Sequence, residues 1–311
     1  MGTRRRLLAL PAALAALCAL AGCGLGPGTA PKGAQLAVTR DFGAKLILAT
    51  SAPRVVGQET IMRLLQRNSQ VTTKYGGGFV ESIDGRSGGS EGGEPIDWFY
   101  YVNGVQAPKG AAETGLHAGD RVWWDLHDWS QTQEVPAVVG SFPEPFLGGI
   151  GGKRLPVRVE CSQSSASSCA TVASRLRMLG VPAALSAFSG GEGAQTLRLF
   201  VGPLAAIDAS PEVQTIEQGP SRSGVYARFS SNGRTIVLLN ARGRPVRTLG
   251  AGAGLIAAVR SGENAPLWLV TGTDSAGVTL AASRLSEASL RDRFALALAP
   301  GGEQLGLPDG G

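Results

Sequence analysis

The chain has 311 residues, 43% of them hydrophobic and only 17% charged, with 45 glycines and a formal net charge of +5. That balance excludes a disordered polyelectrolyte and disfavours long solvated helices, and the length predicts two domains, each able to bury its own core. The basic excess does not predict nucleic acid as a partner. Three of the positive charges are Arg4, Arg5 and Arg6 of a leader, without which the charge falls to +2, and no dense Lys/Arg run remains.

The leader carries those arginines, an apolar stretch over 7–20, and Leu20-Ala21-Gly22-Cys23. This is the pattern of a bacterial lipoprotein signal peptide over 1–22, with Cys23 as the first mature residue. The apolar stretch is shorter than the ~20 residues a spanning helix needs. We therefore expect lipidation at Cys23, a thioether-linked anchor in the cell membrane, and the folded chain on the extracytoplasmic face. Residues 23–34 have the Gly/Pro composition of a flexible tether. Cys18 leaves with the leader, so Cys161 and Cys169 remain, and an oxidising compartment predicts that they form a disulfide. Zinc would need more ligands than these two, and no metal site or cofactor is expected.

Beyond the tether, two apolar runs over 36–49, joined by a turn at 41–43, predict a β-hairpin. Ile61, Leu64 and Leu65 at helical spacing predict a helix over 58–67 that packs across a sheet. Three consecutive glycines, 76–78, lack the Lys-Ser/Thr of a phosphate loop and read as a turn or bulge, and 86–94 reads as a flexible loop.

The stretch 97–129 holds four of the five tryptophans. Asn103-Gly104 and Gly119-Asp120 are turn signals on either side of two alternating runs, so two strands are expected. On the first, Trp98, Tyr100 and Val102 share one face and Phe99, Tyr101 and Asn103 the other. On the second, Val122, Trp124 and Leu126 form an apolar set, while Trp123, Asp125, His127 and Trp129 form a mixed aromatic and polar set. Such a mixture suits a ligand-binding face or a seam between domains.

The helix motif Glu59-Thr-Ile-Met-Arg-Leu-Leu65, the run Gly77-Gly-Phe-Val-Glu-Ser-Ile-Asp-Gly85, Trp98-Phe-Tyr-Tyr-Val-Asn-Gly104 and Gly119-Asp-Arg-Val-Trp-Trp-Asp125 together resemble a bacterial lipoprotein domain of unknown function similar to the C-terminal β-grasp domain of transcobalamin and intrinsic factor. The resemblance spans 35–133 and implies a β-grasp fold and contact with cobalamin. Carried onto this chain, it points to Tyr100, Tyr101, Asn103 and Trp124, to which the residues themselves add Trp123, His127 and Trp129, as ligand-binding candidates. The large helical domain that encloses the ligand in the animal proteins has no counterpart here.

Residues 134–154, rich in Pro and Gly, read as a linker to an α/β domain over 155–299. There strands are expected over 155–159, 183–188, 196–201, 225–229 and 235–239, with a helix over 170–179. A helix over 254–260, a strand over 266–271, a helix over 276–285 and a strand over 294–298 follow, and 300–311 reads as a disordered tail. Thr273 or Asp274 is a helix cap, next to a possible anion site. The fold class expected is α+β, an N-terminal β-grasp domain followed by a C-terminal α/β domain.

Catalytic patterns are sparse. His117 and His127 have no Ser or Cys nucleophile beside them. Asp97, Asp120, Asp125 and Asp128 lie among the aromatics, as the two acids of a glycosidase would. The expectation is a non-enzymatic binding lipoprotein, with cobalamin or a related corrinoid as ligand and a transporter as partner. A structural or partner-binding surface protein and a cell-wall glycan binder or hydrolase are the alternatives.

Overall fold

A computed structural model of the chain describes residues 33–188, 194–207 and 210–310. The leader, Cys23 and nearly all of the tether lie outside these residues. The described residues form one compact unit of α+β class.

Its N-terminal part begins with the expected hairpin, β1 (Ala34–Arg40) and β2 (Lys45–Ala52). Helix α1 (Ile61–Asn68) follows, with Thr60 as N-cap accepting from the Arg63 N–H, and it buries Ile61, Met62, Leu64 and Leu65. A small meander is formed by β3 (Val71–Lys74), β4 (Phe79–Ile83) and β5 (Arg86–Ser87). The principal sheet is completed by β6 (Gly89–Glu91), β7 (Glu94–Val102), β8 (Val105–Gln106) and β9 (Arg121–Asp128). Its order is β2-β1-β9-β7-β6, with β1 and β9 parallel and β7 antiparallel to β9. The Asn103-Gly104 turn closes β7 onto β8 with both residues at positive φ, 55° and 77°.

The C-terminal part is built on a seven-stranded sheet. Its strands are β10 (Val157–Cys161), β11 (Ala183–Ala187), β12 (Leu197–Pro203), β16 (Gly254–Val259), β17 (Leu267–Gly272), β18 (Ala295–Leu298) and β19 (Gln304–Leu307). They lie in the order β11-β10-β12-β17-β16-β18-β19, the first four parallel and the rest joined antiparallel. Helices α2 (Ala166–Met178) and α5 (Ser275–Arg284) contribute to the core on one face of this sheet. The other face is covered by α3 (Pro211–Glu217) and the small sheet β13 (Ala227–Phe229), β14 (Ile236–Leu239), β15 (Pro245–Leu249), with α4 (Pro220–Ser223) packed beside α3. A short α6 (Glu287–Leu290) precedes β18.

Four expectations change, the first being the flexible loop over 86–94, which carries β5 and β6. The expected helix over 254–260 is the strand β16. Every residue of Gly-Leu-Ile-Ala-Ala-Val is buried, and a run apolar on both faces has no periodicity to separate a buried strand from a buried helix. The expected tail contributes β19, whose Leu305 and Leu307 are buried beside β18. The expected linker is packed. Val135 and Val138 enter the core shared by the two sheets, while Phe142 and Phe146 stand 6.0 and 5.0 Å from the Trp268 ring on the helical face. It docks on the Asn-Gly turn, where Val138 N–H donates to Gly104 O and a Cβ on Gly104 would lie 2.7 Å from Val138 O.

The Cys161–Cys169 disulfide is present, joining the end of β10 to the first half of α2. Asp274 caps α5, accepting from Gly277 N and Gly252 N. Those bonds, the Gly277 one foremost, lower its pKa. The helix end therefore already carries a carboxylate of the chain itself, which opposes an anion there.

Candidate functional site

Alternation on β7 and β9 divides the aromatics as expected. Trp98, Tyr100, Val122, Trp124 and Leu126 face α1. Tyr100 stacks on Trp124, centroids 4.7 Å apart at 23°, and its hydroxyl donates to Lys109 O. These two candidates fill a core.

The opposite face is covered as well. Tyr101, Trp123 and His127 are at most 3% exposed. Phe294, entering β18 from the C-terminal part, stands edge-on to all three. His127 lies between Phe42 and Phe99, at 4.6 and 4.5 Å between centroids. Of the aromatic candidates only Trp129 is half-exposed, and its backbone N–H donates to Pro95 O.

Most polar groups of this face are bonded within the chain, the buried Tyr101 hydroxyl being an exception. Asp125 Oδ2 accepts from Thr39 Oγ1 and Gly43 N at 2.5 and 2.8 Å, and Oδ1 from Phe42 N at 3.0 Å and is 2.8 Å from His127 Nδ1. Trp123 Nε1 donates to Thr39 Oγ1 at 2.7 Å. With four partners, the carboxylate is a hub for the Asp41–Gly43 turn, and it has no free lone pair to serve as a general base. Asn103 is fully buried, donating to Asp120 Oδ1 and Gly149 O and accepting from Arg121 N, so its amide knits the turn to the packed segment. Desolvation raises the Asp120 pKa against the opposing bonds from His117 and Asn103.

Space for a ligand lies elsewhere. A cleft of about 1030 Å³ opens between the end of β7 with the loop that follows it, the 134–151 segment, helices α3 and α4, and the β16–β17 turn. Val102, Val105, Ile150 and Val259 supply apolar wall, and His117, Arg222 and Arg260 line it too. Glu212 is held on this wall by Ser210 Oγ at 2.5 Å and by Arg198, whose guanidinium grips the buried Glu160 with two bonds of 2.9 and 3.0 Å. None of the seven ligand-binding candidates lines the cleft, although His117, considered for catalysis, does. Its wall comes from five segments spread over 102–263, and no local motif announces such a site.

Among the described residues, no group of three or more His, Cys, Asp and Glu side chains could hold a metal ion, and no helix is long and apolar enough to cross a membrane.

Comparison with known families places a match to the domain of unknown function DUF4430 over residues 58–128, the stretch from α1 through β9. No curated protein matches the chain. Among solved structures, the chain is similar to "a putative metal binding protein" of Ruminococcus gnavus, with 15% identity over 31% of this chain and 97% of that one, and a TM-score of 0.26. A score that low supports neither a fold assignment nor a ligand.

Proposed function

We propose that this protein is a lipid-anchored, extracytoplasmic binding protein that takes a small ligand in the cleft and performs no chemistry on it. The observation that carries the reading is the cleft itself. At about 1030 Å³ it has the volume of a small-molecule site, and it joins an apolar wall to a few polar groups supplied by both halves of the unit. The carboxylates that a hydrolase would use near the aromatics are instead tied up, Asp125 most completely.

A corrinoid is the first ligand to test, and a membrane transporter the partner that would receive it. The motifs that resemble the transcobalamin-type β-grasp domain point that way. A hairpin, a helix crossing it and a last strand parallel to the first are the arrangement that resemblance implies.

The chain after residue 23 is titrated with cobalamin and followed by visible absorbance and calorimetry. Saturable heat at ~100 μM ligand, lost in Gly115→Trp, supports the corrinoid reading. Gly115 lines the cleft, and a Cβ there would meet only His117 Cε1, at 3.9 Å, so the indole fills space without straining the backbone. No heat at that concentration rejects a corrinoid. The anchor is tested apart from the ligand: Cys23→Ala should move the protein from the membrane fraction to the soluble one.

A further inference from the structure

We propose that the cleft selects ligands bearing a carboxylate or phosphate, anchored by Arg260 with Arg222 at the rim. This rests on the reading of the cleft as the ligand site.

Arg260 sits where β16 runs into its turn, half-buried in the cleft wall. Its Nε donates to Asn264 O at 2.7 Å, which fixes the plane of the guanidinium. Among the described residues no hydrogen bond or ion pair engages its two terminal nitrogens. They are left as a parallel pair of donors, the geometry that grips two oxygens of one carboxylate or phosphate. Burial lowers the pKa of this guanidinium, and the charge of Glu263, which forms no ion pair with it, opposes the effect. A cation that has lost part of its water without gaining a counter-ion is one that an incoming anion stabilises.

Arg222, on α4, is likewise held by its Nε, to Gln218 Oε1 at 3.3 Å, and makes no ion pair among the described residues. The acids of the cleft do not cancel these charges equally. Glu212 is already occupied by Arg198 and Ser210, and Glu134 and Glu263 are exposed to water. Arg198 shows the contrast within the same chain, since its guanidinium closes on Glu160 and has no fork to offer.

The test uses two dyes of nearly the same shape on the chain after residue 23: 1-anilinonaphthalene-8-sulfonate, an anion, and N-phenyl-1-naphthylamine, which is uncharged. Both should bind in the cleft and both should be excluded by Gly115→Trp. Arg260→Gln should weaken the sulfonate about tenfold and Arg222→Gln about threefold, each leaving the uncharged dye unchanged. Added salt should weaken the sulfonate alone. Arg242→Gln, remote from the cleft and paired with Glu94, should alter neither dye. Displacement of the sulfonate by citrate or by pyrophosphate then distinguishes a carboxylate ligand from a phosphate one. Melting curves identify any variant that has lost its fold, and Arg222→Gln, changed at an exposed side chain, keeps the test decisive if Arg260→Gln unfolds.

If both dyes bind in the cleft but the arginine variants affect them alike or not at all, anion selection is wrong and the cleft reading survives. If neither dye binds, or Gly115→Trp excludes neither, both are wrong.

Discussion

Phe294 stands edge-on to Trp123, their ring centroids 5.2 Å apart and their planes at 76°. The first residue belongs to the C-terminal part and the second to the centre of the N-terminal sheet, so the ring face that could have met a ligand meets the protein itself. Tyr101, His127 and Phe42 receive the same ring at 5.1 to 5.6 Å. Phe294 is the central ring of the seam, and Tyr226 adds a second edge-on contact to Phe42 at 5.2 Å.

Phe294→Ala should therefore cost about 3–5 kcal/mol, the usual range for removing a buried phenyl ring. Because both sheets share the cavity it leaves, urea unfolding should shift as one transition. A resolved second transition would show that each half folds on its own, independently of the seam. Trp129→Ala, at a half-exposed ring, should cost markedly less.

Asp125→Ala should be similarly severe, about 3–5 kcal/mol, because it strands the Phe42 and Gly43 amides in a buried site and removes the partner of His127 Nδ1. A glycan hydrolase using Asp125 would instead lose product release while keeping its melting temperature. Measuring both in one variant separates the two roles.

Glu144 links stability to pH. Burial raises its pKa from 4.5 to about 7, although the Gly148 N–H and the positive charge of Arg121 pull the other way. Below pH 4.5 both folded and unfolded chains hold the proton. Between pH 4.5 and 7 the unfolded chain releases it first, so the stability associated with the neutral carboxyl is lost as pH rises through the folded value. Glu144→Gln, always neutral, should remove this loss, and the difference from the parent should grow with pH toward about 3 kcal/mol above pH 8. Urea midpoints from pH 4.5 to 8 measure it. A constant difference would show that the two carboxyl states are equally accommodated.

Replacing Cys161 and Cys169 together by serine should lower stability by about 2–3 kcal/mol, the closure entropy of so short a loop. The loss should appear mainly as destabilisation of the β10–α2 corner. An unchanged melting temperature would mean that the bond adds nothing to what packing already holds.

Much of the fold is legible in the chain because its signals are local. The β1–β2 hairpin, α1, the Asn103-Gly104 turn, the division of Trp123 from Trp124 by strand alternation, and the single disulfide partner for Cys161 all follow from neighbours within a few residues. The anchor at Cys23 is likewise a reading of local sequence, and it lies outside the described residues. The errors came where burial is two-sided or the packing partner is distant. β16 is apolar on both faces, 134–154 carries its valines and phenylalanines among prolines and glycines, and β19 is recognisable only beside β18.

The sequence by itself determined that Trp123 and His127 share a face, because period-two alternation requires it. Whether that face met water, a ligand or protein depended on Phe294 and Tyr226, far along the chain, and only tertiary structure could bring them there. The cleft has the same origin. His117, Arg222 and Arg260 lie far apart in sequence, and no pattern of neighbours encodes a wall assembled when two sheets pack against each other.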